Sequence, residues 1–83
     1  MSLSKCDEYY RLYGNIDGII LSIVAEKPRL SFDRLRDELE KRGIYMDGRC
    51  LRKILAGLIR SGRIHKIPDQ TSRKLLLSPP NSG

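Results

Sequence analysis

The sequence predicts a mostly α domain with a small β-hairpin, in the order α-α-β-α-α-β-β. Three observations carry that expectation. Apolar residues recur at helical spacing in four stretches, each opened by a short polar residue (Ser4, Asn15, Ser31 or Asp47). Near the C-terminus, two segments of strand-forming residues flank the polar run Pro68-Asp69-Gln70-Thr71-Ser72. The positive charge is also lopsided. Residues 1–43 carry eight Lys/Arg and eight Asp/Glu, whereas residues 44–83 carry eight Lys/Arg against Asp47 and Asp69 alone. The whole net charge of +6 therefore belongs to the second half.

The elements follow in order. Ser4 and Asp7 form a capping box, because a serine oxygen and an acid three residues on satisfy free amides at a helix start. Cys6, Tyr9, Tyr10 and Tyr13 then repeat at helical spacing until Gly14. This tyrosine-rich face either packs on the core or contacts a second copy. Asn15 caps the second helix, and Asp17 suits its positive end. Ile16, Ile19, Ile20, Ile23 and Val24 make a buried stripe, and Pro28 ends it. Arg29, Leu30 and Ser31 are expected to be extended.

Ser31 caps a third helix over 32–42, closed by Gly43, with Phe32, Leu35 and Leu39 inward. Its acids read as a solvated face, with Asp37 opposite Lys41 and Glu38 opposite Arg42 at four-residue spacing. After Ile44, Tyr45 and Met46, Asp47 caps a fourth helix over 48–61, ended by Gly62. Residues 63–67 and 73–78 form the hairpin, with Leu75 and Leu77 on one face. The Pro-Pro-Asn-Ser-Gly end, 79–83, reads as a flexible tail.

Size and composition exclude several functions. Eighty-three residues make one small domain, which buries only about two-thirds of its unfolded surface and has no room for a deep catalytic cleft. Cys6 and Cys50 match neither a disulfide framework nor a zinc site, so both are expected to be reduced, in a cytoplasmic protein. Apolar runs such as Ile19-Ile20-Leu21 are too short for a bilayer, and the first residues do not resemble a signal peptide. His65 is the only histidine and reads as a hairpin residue. No nucleophilic motif or phosphate loop occurs, so the expectation is a non-enzyme without metal or cofactor.

The fourth helix carries the functional expectation. At 100° per residue, Cys50, Leu51, Ile54, Leu55 and Leu58 fall on one side. Arg49, Arg52, Lys53 and Arg60 fall on the other, with Ala56 among them. Clustered cations displace counterions from a phosphate backbone, so this face points to a polyanion. Gly57, on the flank of the basic side, either admits a partner backbone or eases packing on a neighbouring helix.

Two closely joined helices followed by a basic hairpin resemble the winged-helix (winged helix-turn-helix) family over residues 15–78. The carrying residues are Leu51, Leu55, Leu58-Ile59-Arg60-Ser61-Gly62-Arg63-Ile64 and Pro68-Asp69 with Arg73-Lys74-Leu75-Leu76-Leu77-Ser78, the latter loosely MarR-like. The resemblance implies a winged-helix domain over 15–78, preceded by a packing or dimer helix over 1–14. It implies a double-stranded DNA-binding regulator, nucleoid-associated, whose fourth helix enters the major groove. Arg49 and Arg52 are then candidates for base readout, with Lys53 beside them, because arginine bonds both acceptors of guanine. Arg60, Lys66, Arg73 and Lys74 would meet phosphates, Thr71 and Ser72 would donate as neutral groups, and Ser31, Arg34 and Tyr45 are secondary candidates. A homodimer through the Tyr9/Tyr10/Tyr13 helix would supply a second DNA-binding unit. The alternatives are a protein-interaction module of a larger complex, with Ile59 as contact, and an RNA- or ribosome-associated protein.

Overall fold

Short polar side chains fix where the helices begin. In the computed structural model, which describes residues 5–69, 71 and 75–80, Asn15 Oδ1 accepts from the Gly18 amide at 3.1 Å. Ser31 Oγ accepts from the Arg34 amide at 3.2 Å, and Asp47 Oδ1 from the Arg49 amide at 2.8 Å. Each satisfies one amide that lacks an intrahelical partner. Ser4 lies outside the described residues. The helices are α1 (Lys5–Tyr13), α2 (Ile16–Glu26), α3 (Phe32–Lys41) and α4 (Gly48–Arg60). Gly14, Gly43 and Gly62 follow α1, α3 and α4 with φ of 80°, 83° and 82°. This left-handed geometry is open to glycine without a Cβ clash.

The strands are β1 (Leu30–Ser31), β2 (His65–Pro68) and β3 (Leu75–Ser78). They form one antiparallel sheet in the order β1-β3-β2. Leu77 pairs with both Leu30 and Lys66, and Leu76 with both Ser31 and Ile67. The hairpin expected from the sequence is thus widened by a two-residue third strand. β2 begins at His65 rather than Arg63 because the end of α4 holds the preceding amides. The Arg63 and Ile64 amides both donate to the Leu58 carbonyl, at 2.9 and 3.3 Å. Arg29 is not extended: its φ is 64°, a left-handed turn after Pro28 that costs a non-glycine residue about 1 kcal/mol.

One core joins the layers. Ile16, Ile20, Ile23 and Val24 of α2 meet Leu35 and Leu39 of α3, Leu51, Leu55 and Leu58 of α4, and Ile64 and Leu77 beside them. Ile19 and Phe32 are only partly buried at its margin. Between α3 and α4, Ile44 and Met46 point inward and Tyr45 outward, a strand-like alternation.

α1 is fastened to the start of α4. Tyr9 and Tyr13 stack nearly parallel, with ring centroids 6.3 Å apart. Their hydroxyls accept from the Asp47 amide at 3.1 Å and the Tyr45 amide at 3.4 Å. Cys6 and Cys50, expected to be reduced, are joined in a disulfide with Cα atoms 5.2 Å apart. The folding of α1 across α4 brings together two cysteines that are 44 positions apart in sequence. In the chain-entropy account of cross-linking, a loop of this length stabilises the fold by about 4 kcal/mol. The bridge removes the cysteine-based argument for a reducing compartment. Among the described residues, no helix is long and apolar enough to cross a membrane.

Candidate nucleic-acid interface

The outer face of α4 is built by its cap and its periodicity. Asp47 fixes the first turn, and Cys50, Leu51, Ile54, Leu55 and Leu58 anchor the helix in the core. Arg49, Arg52, Lys53, Ala56, Gly57 and Arg60 are all left exposed, as the sequence indicates. Arg63, in the turn after α4, and Lys66 on β2 are exposed too. None of these cations forms an ion pair among the described residues, where the four ion pairs all lie on α2, α3 and their junction.

The two flanks of this face differ. On one side a groove runs between α4, the start of α3 and the sheet. Phe32, Leu55, Ile59, Leu75 and Leu77 supply its apolar lining, and Asp33 lines it together with Arg52, Arg60 and Lys66. The Arg52 guanidinium lies 5.1 Å from the centroid of the Phe32 ring, an exposed cation–π contact of about 0.5–1 kcal/mol. Arg52 therefore leans toward the groove, whereas Arg49 has no such tether among the described residues. Leu75 is 52% exposed at the far end of the groove. Thr71 is exposed, and its amide donates to Asp69 Oδ1 at 3.2 Å, an Asx-type turn. Ser72, Arg73 and Lys74 lie outside the described residues.

On the other side a cleft separates α4 from α1, with Lys53, Gly57 and Arg63 facing Cys6, Asp7, Tyr10 and Asp17. The Tyr10 hydroxyl donates to Asp17 Oδ1 at 2.7 Å. Burial first, then this bond and the negative charge of Asp17, push the Tyr10 phenol up to about 12. A Cβ at Gly57 would meet no atom of the described residues within 4 Å. Gly57 therefore does not serve close packing on a neighbouring helix among the described residues.

Of the acids of α3, Asp33 and Asp37 are exposed and Glu38 and Glu40 half-buried, and the pairs differ from those expected. Glu38 meets Lys27 at 3.1 Å and Lys41 at 3.4 Å, and Arg42 reaches Glu26 at 3.4 Å. The Lys27 bond first, then Lys41, holds the Glu38 carboxyl below its usual range. Ser31 and Arg34 stand at the start of α3, and Tyr45 is exposed in the turn before α4. His65 is exposed on β2. No cluster of potential metal ligands occurs among the described residues.

Sequence reasoning overlooked two members of this region. Arg63 was no candidate contact in the sequence, because its place in one cleft with Lys53 depends on the tight turn that ends α4. Phe32 reads as an inner-face residue from spacing alone, and its role as a platform for Arg52 needs the packing of α3 on α4. The chain matches no protein-family model, no curated protein and no solved structure.

Proposed function

We propose that this chain is a winged helix-turn-helix protein that binds double-stranded DNA as a regulator, with α4 in the major groove and β2–β3 along the backbone. The element order and the antiparallel β1-β3-β2 sheet support the fold assignment. One observation carries the functional reading: the cations of α4 share one exposed face and have no acidic partner among the described residues. A polyanion supplies the missing counter-charge. Arg49, at the helix start and untethered, is the foremost base-reading residue, with Lys53 one turn on. Arg52 reads bases only by leaving Phe32. Arg60, Arg63 and Lys66 serve phosphates. Gly57 offers a place where a sugar-phosphate strand can approach the helix backbone closely.

A second copy would supply the further contacts that a small module needs. Tyr9 and Tyr13 are half-buried in their own fold, so such a copy meets α1 through Tyr10 and Leu12, the latter 70% exposed. The apolar groove floor favours a second reading, in which Phe32, Ile59 and Leu75 dock an acidic, apolar-anchored protein segment. In either reading the chain performs no chemistry on its partner.

The test is a titration of duplex DNA at several salt concentrations, with wild type beside Arg49→Ala/Lys53→Ala. Six phosphate contacts imply a log–log salt slope of about −5.4, and each lost contact makes it shallower by about 0.9. The double variant is expected to bind more weakly and with a shallower slope. Equal binding by both proteins refutes the reading.

A further inference from the structure

We propose that the Cys6–Cys50 bridge is a thiol-exchange site, and that its reduction by a small dithiol releases α1 from the first turn of α4. The further consequence, weaker duplex binding, rests on the function proposed above. The placement of the two sulfurs differs. Cys50 is buried, whereas Cys6 is half-buried and lines the cleft between α1 and α4. Of the two cysteines, Cys6 is therefore the one that an exchange reagent in the cleft would meet first. The cleft carries two acids, Asp7 and Asp17, and two bases, Lys53 and Arg63, so its charge is balanced and no particular reagent charge is demanded.

The exchange has two steps. One thiolate of the dithiol attacks Cys6 Sγ, the bridge breaks, and a mixed disulfide forms at Cys6 while Cys50 departs as thiolate. Cys50 is the third residue of α4, where the unpaired first-turn amides favour a negative charge. The second thiol then attacks the mixed disulfide, frees Cys6 and closes the reagent into its own disulfide. Two electrons pass from the dithiol to the bridge, and its two protons end on Cys6 and Cys50.

Release follows from how little else holds α1. The helix has nine residues, too few to persist alone in water. Besides the bridge and partial packing, it is tied by Tyr10 to Asp17 and by Tyr9 and Tyr13 to two amides. Those two amides, of Tyr45 and Asp47, lie in the turn that opens α4. Asp47 is the cap of α4, and Arg49 and Lys53 flank Cys50. Loosening α1 therefore frees the turn that positions the foremost DNA-contacting side chains.

Hydrogen exchange of the full chain, air-oxidised and then reduced with dithiothreitol, tests the release directly. A parallel duplex titration tests its consequence. Reduction is expected to speed exchange in segments 5–13 and 44–53 by at least about tenfold and leave α2 and α3 protected. Duplex affinity is expected to fall by about tenfold through loss of a preorganised helix start. Cys6→Ser/Cys50→Ser should behave as the reduced chain and ignore dithiothreitol; the wild-type comparison stands if that variant does not fold. Unchanged exchange, or loss of protection throughout the domain, overturns the proposal; release with undiminished duplex binding supports the exchange site and overturns its consequence. Release in a chain that binds no duplex in either state supports the exchange site and overturns the DNA reading instead.

Discussion

Four of the six cations between Lys27 and Arg42 pair within the chain, whereas those of α4 do not among the described residues. Lys27, Lys41, Arg36 and Arg42 each stand within 4.0 Å of a carboxylate of their own chain. Those charges are satisfied internally, and exposed side chains in such pairs are weakly held because solvent screens them. Arg49, Arg52 and Lys53 have no acidic partner among the described residues and repel one another at three- and four-residue spacing. Each such like-charge pair disfavours the helix by a few tenths of a kcal/mol. One set of charges is largely neutralised within the chain and the other is not. Under the proposed function, that contrast separates binding cations from solubilising ones, which composition alone does not.

Substitution on each face is the sharpest way to break the contrast. Arg49→Ala/Lys53→Ala is expected to weaken duplex binding by about tenfold or more, on the scale of two lost contacts, while Lys27→Ala/Lys41→Ala leaves it nearly unchanged. Equal losses from the two pairs, measured by fluorescence anisotropy, would erase the distinction.

Acid probes the paired face. The Glu38 carboxyl is held low by Lys27 and Lys41, so its folded pKa lies below its unfolded one. Its contribution is present above the unfolded pKa and is lost as pH falls through the folded pKa. Glu38→Gln should lower stability near neutrality and reduce the loss on acidification, read by urea denaturation across the acid range.

Alkali probes the cleft. The folded pKa of Tyr10, about 12, is raised above the ordinary phenol value of 10.0. The Tyr10–Asp17 contribution is therefore full below the unfolded pKa and disappears as pH rises through the folded one. Phenolate absorbance should show one tyrosine ionising near pH 12, and Tyr10→Phe should remove that step.

The smallest expected effect is at Gly57. With no described atom within 4 Å of the place a methyl group would take, Gly57→Ala should stabilise α4 by about 0.5–1 kcal/mol in thermal melts. A simultaneous loss of duplex affinity would place a partner backbone at that position, and unchanged affinity would place it elsewhere along the helix.

Much of the fold was legible because its signals are local. Asn15, Ser31 and Asp47 announce helix starts, Gly14, Gly43 and Gly62 follow three helix ends, and the two faces of α4 are a matter of period. What escaped depends on distance along the chain. Cys6 and Cys50 carry no spacing signature, and a strand as short as Leu30–Ser31 does not announce its pairing with Leu77 and Leu76. The partners of Glu38 and Arg42 were misassigned because four-residue spacing considers only one helix, whereas Lys27 and Glu26 reach across from another segment. The basic residues of the candidate interface were readable as a set. Their division by the Arg52–Phe32 contact into tethered and free members was not.

The middle position of β3 has a consequence for assembly. As the chain emerges from a ribosome, Leu30 is synthesised long before its neighbour Leu77, and β2 is made before it has a strand to lie against. The three-stranded sheet therefore closes last, like a zip fastened from the final tooth. A chain halted before Leu75 lacks the strand that joins the other two, whatever its helices have already achieved.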